Sequence, residues 1–144
     1  MSGKRAGSIP FEGRRGKRVR ADILILMSML KTTISIASVI LLLVGVLGFF
    51  SDPLFGIFAV DPLHNIVHLL TGMLGLLAIS MDWEQMFVKV FGVVYAVIAL
   101  LGFFTGGVLG MIMVNTADNI LHLVVALVFL YLGFVGVKEE SMQN

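Results

Sequence analysis

Three histidines and a handful of carboxylates are the residues of this chain that could do chemistry. His64 and His68 stand four apart, the spacing that lets two imidazoles on one helix face share a metal ion. His122 would add a third nitrogen donor, with Asp118 as a fourth ligand or as the group that orients a ligand. A haem held between His68 and His122 is a second form of the same idea. Proton sensing is a third, since an unperturbed imidazole titrates near about pH 6.5. No HExxH motif supports a metal-dependent hydrolase, and the absence of cysteine excludes disulfides, thiolate metal sites and cysteine nucleophiles. No serine or threonine is placed beside a histidine as a nucleophile, so the chain is not expected to be an enzyme, and the simplest expectation is no cofactor.

These residues belong to a pattern that occurs twice. Shifted by 54 positions, LGFFSDPLFGIFAVDPLHNIVHLL from Leu47 falls on LGFFTGGVLGMIMVNTADNILHLV from Leu101 without a gap, and 11 of 30 positions are identical over Leu47–Leu76. Asp61, His64, Asn65 and His68 share one helix face. So do Asn115, Asp118, Asn119 and His122. The simplest reading of these polar residues is structural: Asp61 and Asn115 cap helices, and Asn65, Asn119 and Asp118 hydrogen-bond between helices. His64 corresponds to Asp118, which predicts a hydrogen bond between the two across the repeats. Gly72 and Ala126, one turn on, predict close packing of spans two and four on this face.

The elements that must position these residues are membrane helices. Of 144 residues, 58% are hydrophobic, and the mean hydropathy is +1.03, well beyond a soluble domain. Four stretches reach the ~20 apolar residues that cross a bilayer: about Ile23–Phe50, Pro62–Met81, Met86–Phe104 and Thr116–Val137. Lys31 interrupts the first, which predicts either a tilted helix with Lys31 reaching the headgroups or a surface segment over Ile23–Leu30. The outer connections PLFGIFAV and GGVLGMIMV are expected as short interfacial helices or re-entrant turns, each bent at Gly56 or Gly110.

Seven of the ten basic residues precede Asp22. This places the N-terminus on the cytoplasmic side, and an even number of spans returns the C-terminus there. The apolar run is too long for a signal-peptide core, so residues 1–21 read as a retained, flexible basic tail. Arg14, Arg15, Lys17, Arg18 and Arg20 would meet anionic lipid headgroups. Nucleic acid is not an expected partner, because the tail lacks stacking aromatics. The membrane domain then covers residues 22–138, with repeats at about 31–81 and 86–137 and a short cytoplasmic tail over 139–144. Two spans per repeat keep both copies in one orientation. The expected fold is therefore all-α, an integral membrane four-helix bundle of two tandem, parallel-related helical hairpins.

At VDPLHNIVHLLTG and VNTADNILHLVVA the chain resembles a family of small four-span prokaryotic membrane proteins known as a domain of unknown function. The resemblance covers about Lys31–Val137 and rests on paired D-P-x-H-N-x-x-H and N-x-x-D-N-x-x-H patterns. It implies the four-span topology and no activity. The sequence as a whole reads as a non-enzymatic inner-membrane protein, a structural or accessory component beside another membrane protein. Metal or haem binding is the alternative, and a small transporter or pH-responsive channel a further one.

Overall fold

A computed structural model describes residues 10–140 as four helices in order, with side chains described over residues 16–134. They are α1 (Pro10–Leu47), α2 (Pro62–Ser80), α3 (Glu84–Thr105) and α4 (Thr116–Glu140), with a two-stranded ribbon, β1 (Gly107–Val108) and β2 (Ile112–Met113), between α3 and α4. All four helices are long and apolar enough to cross a membrane. The outer surface is Leu, Ile, Val, Phe and Met, while the polar residues His64, Asn65, Asp118 and Asn119 lie inside. That inversion suits a hydrocarbon solvent, where exposed apolar side chains cost nothing and polar groups need partners.

The packing unit is the hairpin. α1 packs chiefly on α2, and α3 on α4. Ile34 and Val88, 54 residues apart, are both fully buried, one on α1 and one on α3. Glycines let the helices of each hairpin approach. A side chain on Gly72 would meet the Ser38 carbonyl at 2.8 Å and Leu42 at 2.8 Å, both on α1. The small residue at 72 therefore serves the α1–α2 contact. α2 and α4 make no close backbone contact among the described residues, contrary to the packing expected from Gly72 and Ala126.

Both connections at the loop end are tight β-turns rather than interfacial helices. Leu54 pairs with Phe58, and Val108 with Ile112. The central residues are left-handed in both, Phe55 and Gly56 at φ 54° and 72°, Leu109 and Gly110 at 54° and 70°. Two successive positive φ values define a type I′ turn, which fits the twist of a hairpin and favours glycine at its second central position. An apolar segment at a membrane boundary thereby pairs its own backbone groups.

The other end is held by Lys31. Its ammonium lies 2.9 Å from Asp82 of the α2–α3 turn and 2.9 Å from Glu84, the first residue of α3, so Lys31 has two protein carboxylates as partners. α1 also runs unbroken through Ile23–Leu30 and back to Pro10, where a flexible tail was expected over residues 1–21. Arg and Lys are good helix formers, and no proline interrupts the run after Pro10. Residues 10–30, about 30 Å of helix at 1.5 Å per residue, extend beyond the level of that turn. Lys17, Arg18 and Arg20 are exposed there. Arg14 and Arg15 lie in the same helix, with side chains outside the described set. The expected tail at 139–144 begins within α4, which runs to Glu140, and its last four residues are outside the described residues.

Two carboxamides are seated against glycine. The Asn65 amide oxygen occupies the place a side chain would take on Gly48, and Asn119 does the same to Gly102. Gly48→Ala and Gly102→Ala should each destabilise the protein by about 1–3 kcal/mol, the usual cost of overpacking a tight contact. Thermal unfolding in detergent checks this, with Gly16→Ala as control, because nothing lies within 4 Å of that position. Lys31→Met should destabilise more than Asp82→Asn, since only the first leaves the buried Glu84 without its cation.

Candidate functional site

The site is built from two helix starts. Asp61 Oδ1 accepts from the backbone N–H of Leu63 at 2.8 Å and His64 at 2.9 Å, with Pro62 at the first helical position. Asn115 Oδ1 caps α4 in the same way, accepting from Ala117 at 2.8 Å and Asp118 at 3.1 Å. Asp118 Oδ2 accepts from the Asn115 N–H at 2.8 Å in return, completing a capping box with Asp at the third helical position.

Each cap also reaches across to the other connection. Asp61 Oδ2 accepts from the Met113 N–H at 2.7 Å, and the Asn115 side-chain amide donates to the Ile57 carbonyl at 2.7 Å. Asp118 Oδ2 accepts a further bond from the Ala59 N–H at 3.1 Å. The difference between Asp61 and Asn115 follows from these targets. An N–H calls for a carboxylate and a carbonyl calls for an amide donor. Burial alone would push the Asp61 carboxyl up, but the N–H donors of His64, Met113 and Leu63 outweigh it and hold it below the usual carboxylate range.

One and two turns below the caps, the space between α2 and α4 is filled by imidazoles. Ring centroids lie 4.4 Å apart for His64 and His68, 5.8 Å for His64 and His122, and 6.3 Å for His68 and His122. One nitrogen from each lies within 4.8 Å of the others. The three rings are 3%, 8% and 6% exposed. Both nitrogens of His64, and Nδ1 of His68 and of His122, have no hydrogen-bond partner among the described residues. The Tyr95 ring of α3 stacks on His122 at 5.5 Å and 28°, and its buried hydroxyl lies beside the Thr71 side chain of α2.

The sequence brings His64, His68 and His122 together as their spacing suggests. The expected His64–Asp118 hydrogen bond is not made. Asp118 Oδ2 is taken up by the two backbone N–H groups, and the carboxylate is not one of the groups that converge with the three imidazoles. Asn65 and Asn119 sit against glycines within the hairpins, α1–α2 and α3–α4, rather than bridging α2 to α4. Spacing alone does not single out Tyr95. Its one signal is a hydroxyl-bearing ring inside an otherwise apolar run.

A family model described as Domain of unknown function (DUF4383) matches residues 31–135. No curated protein and no solved structure matches the chain.

The cap geometry gives a pH dependence with a definite sign. The folded Asp61 carboxyl titrates below its unfolded value of about 3.9, so its contribution is full above that pH and is lost as pH falls through the folded value. Asp61→Asn keeps the cap but sets an amide against the Met113 N–H. It should cost on the order of 1 kcal/mol near neutrality. Thermal unfolding between pH 7 and pH 3 should show the difference from wild type shrinking as the medium becomes acidic.

Proposed function

This chain belongs to the family described as Domain of unknown function (DUF4383), and on that footing we propose that it is a metal-binding membrane protein. One observation carries the reading: three buried imidazoles converge with both nitrogens of His64 and Nδ1 of His68 and of His122 unbonded. A purely structural or accessory role, the first expectation from sequence, accounts for the caps and for the bonds of Asp61, Asn115 and Asp118, but it gives the three imidazoles no partner. Unpartnered buried polar groups are costly, and a bound cation would supply the missing partner.

The donor set suits a first-row transition metal bound by neutral imidazole, such as Zn²⁺ or Cu²⁺. At Zn–N distances of about 2.0–2.1 Å, three ligands of a tetrahedral site stand about 3.3 Å apart. The separations of up to 4.8 Å then close by small side-chain rotations. Three protein ligands leave one position open. The arrangement argues against haem, because the His64 ring stands 4.4 Å from His68 and 5.8 Å from His122, where a macrocycle would have to lie. The role is one of binding rather than catalysis.

The basic residues Lys17, Arg18 and Arg20 support an N-terminus on the cytoplasmic side, facing anionic lipid. The loop end, with the histidines, then faces outward in a prokaryotic inner membrane. The 54-residue correspondence of turns, caps and glycine contacts supports an origin by internal repetition.

Elemental analysis of detergent-purified protein titrated with Zn²⁺ or Co²⁺ tests the site. One ion per chain is expected, with a tetrahedral-type Co²⁺ visible spectrum. His64→Ala, His68→Ala and His122→Ala should each lower affinity by at least tenfold, while Asp118→Asn should leave the stoichiometry at one. No retained metal in wild type, or equal retention in the three histidine variants, would overturn the proposal.

A further inference from the structure

Between α1 and α4 runs a groove of about 350 Å³, walled by apolar side chains over most of its length. Ile36 and Ile40 of α1 and Leu121 and Val124 of α4 form its rim, each about half exposed on the lipid-facing surface. Hydrocarbon is therefore the medium at its mouth. His68, Tyr95, Asp118 and His122 line the half of the groove toward the loop end, and Thr33 is the polar lining residue toward the other. His68, Tyr95 and His122 are each more than nine-tenths buried; His68 and His122 carry an unbonded Nδ1, and the Tyr95 hydroxyl, beside Thr71 of α2, keeps capacity for a second bond. The cleft thus has an apolar body and a polar head pocket.

The opposite seam, between α2 and α3, shows what an unneeded cleft looks like. The 54-residue shift carries Thr33, Ala37 and Leu41 of the groove wall onto Phe87, Phe91 and Tyr95. Those rings close that side, with Phe87 and Phe91 in contact at 4.5 Å and Phe87 and Tyr95 in the core. What remains there is a separate apolar space of about 180 Å³ at the turn end, lined by neither His68 nor Tyr95. Small residues at Thr33 and Ala37 keep the α1–α4 seam open.

We infer that this groove binds a bilayer-dissolved amphiphile, a single hydrocarbon chain whose uncharged head carries a hydroxyl or carbonyl oxygen. The chain lies along α1 and α4, and the head reaches Tyr95, His68 and His122. The Asp118 carboxylate at the head pocket disfavours an anionic head. The Tyr95 hydroxyl can donate to or accept from a neutral oxygen. The head meets two of the imidazoles that would hold the ion, so the inference rests in part on the metal reading, while its walls and the Tyr95 hydroxyl are present with or without an ion.

The test uses the full chain in nanodiscs, with a long-chain fatty alcohol bearing a photoreactive diazirine on its tail. Cross-linked residues are mapped by mass spectrometry on protein loaded with Zn²⁺ and on protein stripped by chelation. Labelling is expected at groove residues such as Ala37 and Val128. It should drop at least fivefold in Ala37→Phe, which installs the ring found 54 positions later, and in Val128→Trp, whose exposed site tolerates a large side chain. Tyr95→Phe should weaken competition by unlabelled alcohol. Labelling spread evenly over all lipid-facing helix surfaces would overturn the proposal. So would preference for the matching fatty acid, or groove labelling unchanged in both filling variants. Loss of metal binding with groove labelling intact would sink the metal reading alone.

Discussion

Two helix caps that each serve two backbones hold the site together. A polar side chain at a helix start ordinarily satisfies its own first-turn N–H groups and finishes there. Here Asp61 and Asn115 keep one atom for their own helix and send the other to the opposite connection. The reciprocal bond from Ala59 to Asp118 adds a third tie. Because α2 and α4 have no close backbone contact of their own, these ties fix where both helices begin. Everything one or two turns below, including the three imidazoles, inherits that position.

The histidine cluster then follows from geometry with little help from packing. His64 and His68 are stacked on one face of α2, and His122 comes from α4 across the gap. Large rings take up the space that the small residues of a tight helix crossing would close. Gly48, Gly72 and Gly102 instead draw the helices of each hairpin together. The consequence is an interior with firmly packed hairpins and a more open seam between them, where polar donors and a groove coexist.

The four spans, their hairpin pairing and both cap positions were legible in the sequence, because hydropathy, Asp-Pro and the 54-residue correspondence are local signals. The convergence of His64, His68 and His122 was legible from spacing. The fate of Asp118 was not. Its capping box needs an aspartate where glutamate is the familiar partner, and its bond to Ala59 depends on a contact 59 residues away. Gly72 was assigned to the wrong helix neighbour for a similar reason: a small residue announces a close approach without naming what approaches. The unbroken run of α1 back to Pro10 was missed because a basic composition suggests disorder, although the same residues favour helix. Tyr95 could be found only by asking what faces His122.

Fastening is uneven along the molecule. At the loop end the two hairpins are laced by three bonds. At the other end Lys31 fastens α1 to the α2–α3 turn, and Gln85 reaches the Gly133 carbonyl of α4 at 3.4 Å, but no described bond joins α1 to α4. Among the described residues the contact of α1 with α4 is therefore apolar: Ile34 of α1 shares one core with Ala126 and Phe129 of α4. That seam is held by side-chain packing, which is less directional than the hydrogen bonds that lace the loop end.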